Sequence, residues 1–590
     1  MDARPLLERV ARALEIARLE ACCLICTGMK DLCGSASPGA AAPLAMATRY
    51  DAVIVGAGHN GLTAAAYLAK AGLSVLVLER REIVGGACVT EELFPGFRLN
   101  VASYTLGMLQ PEIVRELGLG KLGFESYVRD PQYLAVFPDG RYLLVYPDLE
   151  RTLPEVRKLS RRDALAWPRF EADGARVGAV LRRYFLQPAE RWTWGDLAAE
   201  FKGADERLLA RFILGSTRAL VEAYFESPAI QGVQAFGGAV GTFVGPSTPG
   251  SAYSKAHHLA GRIGDHLGCF GYVRGGMGAL SEALAAAVRR HGGVIRTGAA
   301  VERILVRAGA ATGVVLAGGE EVAARLVLSN ADPKHTLLGL VGERNLPPEV
   351  VADLAAYRTV GCSYKMNLAL DALPRFTCLP AGDPAPYLRG GVVISPSLDY
   401  LERAYRDAVE GRPPRRPYVL MHFQSLTDPG LAPRGKHTLT LYGDWVPYRP
   451  IDGGWSEARR TAFAEDVLDT VAAYAPGIRD VVRGRMLLVP PDIEARFGIT
   501  GGNIFHGDLV LEQLFSLRPV PGFGAHRMPV RNLYLCGSGS HPGGYVSAMP
   551  GRNAARVALA DWRRRTAAGR ATPPGRARRA AARAPRQTGR

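Results

Sequence analysis

Asp51-Ala52-Val53-Ile54-Val55-Gly56-Ala57-Gly58-His59-Asn60-Gly61 is the stretch that decides the architecture. An apolar run of strand length enters G-x-G-x-x-G without a break, so the sequence predicts a strand, a tight turn and a helix. Gly56 suits the turn, Gly58 lets the backbone approach a pyrophosphate, and Gly61 lets the helix pack against the strand. The helix N-terminus offers unpaired N–H groups to the anion. Residues 62–71 have helix-forming composition, Gly72 is placed to end the helix, and Ser74-Val75-Leu76-Val77-Leu78 is a second strand that ends on Glu79. A carboxylate there accepts from both hydroxyls of an adenosine ribose and repels a 2′-phosphate.

The next residues separate a flavin from a nicotinamide. Gly85-Gly86 complete E-R-R-x-x-x-G-G, a loop where bare backbone meets the cofactor's phosphate and ribitol, and a nicotinamide dehydrogenase has no need of it. Far downstream, Asn532-Leu533-Tyr534-Leu535-Cys536-Gly537-Ser538-Gly539-Ser540-His541-Pro542-Gly543-Gly544 is again an apolar strand running into glycine, with a helix expected over 550–562. Proline near that helix start is well tolerated, and a helix dipole aimed at the isoalloxazine stabilises the anionic reduced ring. The two glycine-rich segments read as halves of one FAD site, with Gly56, Gly58, Gly61, Glu79, Gly85, Gly86, Gly537 and Ser538 as cofactor-binding residues.

Taken together, V-I-V-G-A-G-H-N-G-L, E-R-R-x-x-x-G-G and L-Y-L-C-G-S-G-x-H-P-G-G resemble the FAD-dependent phytoene-desaturase-like oxidoreductases. Within them the motifs sit nearest a branch named for a pyridine nucleotide-disulfide oxidoreductase domain. Gly275-Gly276-Met277-Gly278-Ala279-Leu280, Ser329-Asn330-Ala331-Asp332-Pro333 and Thr500-Gly501-Gly502-Asn503-Ile504-Phe505-His506-Gly507 support the resemblance, which covers about 49–562. It implies an α/β fold with a Rossmann-like FAD-binding domain interleaved with an α+β substrate domain, and it places Val301 beside the adenine. One departure bears on chemistry: Ala87-Cys88 follow the glycine pair where amine-oxidase and carotenoid-desaturase relatives commonly carry arginine.

The expected organisation is an N-terminal extension at 1–48, FAD-binding parts at 49–150, 271–333 and 496–562, substrate-domain parts at 151–270 and 334–495, and a basic disordered tail at 563–590. A hairpin is expected from 133–136 and 141–145, mainly helical structure over 151–230, and strands at 364–370, 418–422 and 438–442 that roof the flavin. The formal charge of +16 falls to +6 once the ten arginines of 563–590 are set aside, and that tail lacks the aromatics that nucleic-acid binding favours, so no nucleic-acid partner is expected. Residues 1–45 fit neither a transit peptide nor a secretory signal, and Met46 is read as the natural start. Cytoplasmic localisation is expected, with the mitochondrial matrix as the alternative and peripheral membrane contact allowed by an apolar substrate.

Chemistry by cysteine is not expected. The core cysteines are scattered, Cys23 and Cys26 form the sole C-x-x-C, and a disulfide reductase needs a redox pair beside its flavin. His257, His258 and His266 cluster, but adjacent histidines point apart on a helix and no metal is expected. His541 and Tyr545, after the closing strand, are the catalytic candidates, with His506 a third; the competing reading of His541 is a turn histidine bonded to backbone. The expected reaction is hydride transfer between flavin and a small, apolar, isoprenoid-like substrate, with the electron acceptor and oligomeric state open. A flavin amine oxidase and a flavin-binding regulatory protein are the alternatives.

Overall fold

The computed structural model describes residues 49–189, 192–238 and 240–571. The expectations for the N-terminal extension, the C-x-x-C, the Met46 start and the far end of the basic tail lie outside the described residues.

In chain order, β1 (Arg49–Val55), α1 (His59–Lys70) and β2 (Val75–Leu78) come first. The hairpin β3 (Tyr133–Val136) and β4 (Tyr142–Val145) and the helices α2 (Arg161–Phe185) and α3 (Ala252–Leu259) follow. The chain then builds α4 (Gly278–Arg290), β5 (Val294–Arg296), β6 (Val301–Arg307), β7 (Ala310–Leu316) and β8 (Glu321–Ser329). After β9 (Tyr364–Leu370), β10 (Gly391–Ile394), β11 (Val419–His422), β12 (His437–Gly443) and β13 (Val482–Leu488), it closes on β14 (Leu533–Leu535) and α5 (Met549–Ala571).

The first sheet runs β5-β2-β1-β8-β7-β6, with β14 also on β8. Its centre is parallel: Val55 is paired with both Leu78 and Ser329, and Ser329 in turn with Leu535. The carboxyl ends of β1, β2, β8 and β14 therefore lie side by side, the position at which open parallel sheets bind ligands. β2 and the second half of β1 are buried throughout, because helices cover both faces of such a sheet. α1 supplies Ala64, Ala65, Ala66 and Ala69 to that layer, and small side chains let α4 and α5 come close to it.

The second sheet runs β13-β9-β12-β11-β10-β3-β4 and is antiparallel except between β10 and β3. All of β9 is buried, and its alternation divides the work. Tyr364, Met366, Leu368 and Leu370 join the core with Phe463 and Val467 of the helix Glu457–Ala472. Lys365 and Asn367 face the other way, toward Tyr104 and the Val101 carbonyl.

The closing helix differs from the expected end at residue 562. It continues to Ala571, into the stretch read as disordered tail, because Arg564 pairs with Asp561 at 2.7 Å and Arg565 reaches Asn532. Among the described residues no helix is long and apolar enough to cross a membrane.

Candidate functional site

A single cavity of about 970 Å³ starts at the carboxyl edge of the first sheet and continues beneath the second. Its sheet end is lined by Gly56, Gly58, Glu79, Gly85, Gly86, Val301, Asn330 and Ser538, so the structure brings together most of the residues predicted to hold a dinucleotide. Gly61 and Gly537 lie behind the wall and shape it. A Cβ on Gly61 would stand 2.2 Å from the Gly56 carbonyl, and one on Gly537 would stand 2.3 Å from the Asn330 carbonyl. Gly56, Gly85 and Gly86 take φ of 90°, 112° and 58°, which L side chains rarely adopt. Gly58 and Gly85 bridge as parallel neighbours, which holds the two glycine loops edge to edge.

Glu79 is buried, with one carboxylate oxygen accepting from Ala57 N–H at 2.8 Å and the other from Arg81 N–H at 3.0 Å. Each oxygen keeps a lone pair for a further donor. The closing segment reaches the first through Asn60 Nδ2, which donates to Ser538 Oγ at 3.2 Å.

Sequence reasoning missed how Asn330 works, although it quoted the motif. Its Oδ1 accepts from Gly61 N–H at 3.0 Å, so the side chain lies across the glycine turn and fixes the start of α1. Arg518 was missed entirely. Fully buried, it donates to the carbonyls of Phe505, Gly507, Asp508, Gln513 and Ser538, tying the predicted His506 loop to the closing segment.

The three catalytic candidates part company. His541 does not line the cavity: its Nε2 lies 3.1 Å from the Tyr184 carbonyl at the end of α2, and burial lowers its pKa to about 3. The physical reason is that its turn packs against the end of α2, where the ring meets the Tyr184 carbonyl alongside Gln187 N–H. Tyr545 does line the cavity, at a φ of 67°, with its hydroxyl 3.2 Å from Ser254 Oγ and its ring against His258 and Phe505. His506 also lines it; burial holds its pKa near 4. Of the clustered histidines, His257 is buried against Phe185 and Tyr253, His258 faces Tyr545, and His266 is exposed on a separate hairpin. Among the described residues no group of His, Cys, Asp or Glu is placed to hold a metal. Cys88 packs its sulfur on the Met277 carbonyl, where burial raises its thiol pKa.

Six buried polar atoms on lining residues have no protein partner among the described residues: His59 Nε2, Asn60 Oδ1, Ser103 Oγ, Arg129 Nε, His506 Nδ1 and Lys365 Nζ. Unpaired buried groups are rare, and bare glycine walls joined to orphaned polar atoms fit a large polar ligand such as FAD. Lys365 is the extreme case. It is 2 % exposed, lies 4.1 Å from the centre of the Tyr104 ring, and burial drives its pKa well below the ordinary lysine value. Its place in an apolar strand hid it from sequence reasoning.

Asp444 Oδ1 accepts from the lining residues Ser363 (Oγ, 2.5 Å) and Tyr442 (2.8 Å) and from Gly241 N–H at 3.0 Å, and Oδ2 accepts from Tyr418. Burial still pushes its pKa up to about 6 from 3.8, so the folded form holds the proton more tightly than the unfolded chain. Stability from this group is full below pH ~4 and is lost as pH rises through 6. Asp444→Asn is expected to remove a slope on the order of 2 to 3 kcal/mol. Urea midpoints at pH 4.5 and 7.5 check it, and parallel midpoints in wild type and variant would refute it.

Comparison with known proteins agrees with this geometry. The family model for flavin containing amine oxidoreductase matches residues 61–377. A Rattus norvegicus protein named pyridine nucleotide-disulfide oxidoreductase domain-containing protein 2 is 38% identical over 87% of this chain and 94% of its own. A phytoene desaturase (neurosporene-forming) from Cereibacter sphaeroides is 27% identical over 85% of this chain and 92% of its own. Among solved structures, cyclohexylamine oxidase from Brevibacterium oxydans superposes with a TM-score of 0.53 at 17% identity, covering 88% of this chain and 99% of that one, a likeness of fold. The chain belongs to the flavin-containing amine oxidoreductase family.

Proposed function

We propose that the protein is an FAD-dependent oxidoreductase that removes or moves hydride at a C–C or C–N bond of a largely apolar, isoprenoid-like substrate. The observation that carries this reading is the continuity of one cavity from the glycine turns to an aromatic chamber. Bound FAD would supply hydride acceptance. Gly56, Gly58, Gly85 and Gly86 would receive the pyrophosphate and ribitol, Glu79 the adenosine ribose, Val301 the adenine, and Ser538 the isoalloxazine end, with Gly537 shaping the wall behind it. Tyr545 would form part of the substrate wall. Lys365, kept neutral by burial, would accept a proton from the substrate or orient a polar atom there. The phytoene desaturase relative acts, by its name, on an apolar isoprenoid, in keeping with this class of substrate.

The family match favours an amine substrate as the second reading. Against it, the wall carries the cations Arg80, Arg81, Arg129 and Lys255 but only Glu79 and Glu171 as carboxylates, a poor setting for an ammonium ion. Anaerobic mixing with unsaturated terpenoids and with alkylamines separates the two. Bleaching of the flavin by terpenoids alone supports the proposal, and bleaching by amines alone, with peroxide on admitting oxygen, replaces it. Lys365→Met is expected to keep its flavin and to lose roughly 100-fold or more in the rate of flavin reduction by the substrate that bleaches the wild type. A variant reduced at the wild-type rate would remove Lys365 from the chemistry.

A further inference from the structure

Away from the glycine turns, the cavity is bounded by α2 and α3, and its wall there is largely apolar, with Gln234, His258 and one separated pair of opposite charges. Lys255, on α3, donates to Gln234 Oε1 at 3.0 Å, and its Nζ lies 5.4 Å from the centre of the Phe170 ring. An ammonium has three donors, so two remain. Glu171, on α2, accepts from Trp167 Nε1 at 2.6 Å, its sole hydrogen bond among the described residues. Glu171 is exposed and lines the cavity, which puts this pair toward the outer end of the chamber. The two charges act on each other through space but form no ion pair: Glu171 favours the charged lysine, and Lys255 favours the charged carboxylate.

Two opposite charges facing one space, each with unused hydrogen-bonding capacity, define the group that completes them. A carboxylate arriving there would meet Glu171, and an ammonium would meet Lys255. Either would be repelled by the like charge of the pair. A neutral group that both donates and accepts satisfies both partners and adds no charge. We propose that Lys255 and Glu171 form a subsite for a hydroxyl at the outer end of an otherwise apolar substrate, with the hydroxyl donating to Glu171 and accepting from Lys255. Gln234 and Trp167 are the positioning residues of this subsite, because each holds one of the two charged side chains. The inference rests on the proposed function in taking this cavity as the substrate chamber.

Calorimetric titration of the flavin-loaded protein with 1-octanol, methyl heptyl ether, octanoate and octylamine tests it. Octanol should bind at least about tenfold more tightly than the ether, which cannot donate to Glu171, and more tightly than either charged probe. Glu171→Leu, at an exposed helical position, should bring octanol to within about twofold of the ether. Lys255→Met should weaken octanol and the ether alike, each about tenfold, because both oxygens accept from Lys255. Equal affinity for octanol and ether, tightest binding of a charged probe, or an octanol preference that survives Glu171→Leu would overturn the subsite. Flavin absorbance in the same samples keeps the two proposals apart. Protein that carries no flavin sinks the proposed function and is titrated as it stands, whereas flavinated protein indifferent to the hydroxyl sinks the subsite alone.

Discussion

Gly58→Val is expected to abolish flavin retention while the protein still folds. Gly58 caps α1 in extended backbone at φ −66° and ψ 165°, a conformation open to any residue, so the defect is one of space. A Cβ there would stand 2.6 Å from Asn330 Nδ2. Asn330 has little freedom to yield, because its Oδ1 is bonded to Gly61 N–H. The valine branches would then occupy the cleft between the two glycine loops, where the pyrophosphate is proposed to lie. The ratio of flavin to protein absorbance, with circular dichroism as the control for folding, reads the result. A fully flavinated variant would contradict the assignment of the phosphate site.

The largest expected loss of stability follows Arg518→Leu. The guanidinium is surrounded by backbone carbonyls from five residues, and leucine takes away its donors in a space closed to bulk water, Asp508 alone keeping a bond from Gln513 Nε2 at 3.2 Å. Each orphaned buried group costs about 1 to 3 kcal/mol where the surroundings do not relax, so a net loss of roughly 4 kcal/mol or more is expected. A urea titration should show a markedly lower midpoint, with Arg518→Lys falling between because one ammonium cannot reach five carbonyls. An unchanged midpoint for Arg518→Leu would show that the closing segment does not depend on this residue.

The dinucleotide clasp was legible because it is local. Strand, glycines, helix, strand and acid follow one another within thirty residues, and their spacing follows from how a backbone turns over a phosphate. What the sequence hid is non-local. Asn330 lies 269 residues beyond Gly61, and nothing near it in the chain says which amide it will hold. Lys365 sits in a strand whose alternation reads as core, and the orphaned amine emerges once Tyr104 is seen beneath it. Glu171 and Lys255 read as helix-surface charges until α2 and α3 are folded around one cavity. His541 shows the opposite fault. Its place in a glycine-rich turn beside the closing strand made it a catalytic candidate, but the turn packs against α2 and the ring serves a backbone carbonyl. Tyr545, four residues on, is the one of the two predicted catalytic residues that the fold brings to the cavity wall.

The central claim is that the two glycine-rich segments, together with Asn330 and Glu79, make one FAD site. Its most direct test is the visible spectrum of the purified protein before and after anaerobic dithionite, with the released cofactor identified by chromatography. The account predicts a yellow chromophore that bleaches and elutes as FAD, in roughly one-to-one ratio with the chain. A colourless protein that also refuses added FAD would contradict it.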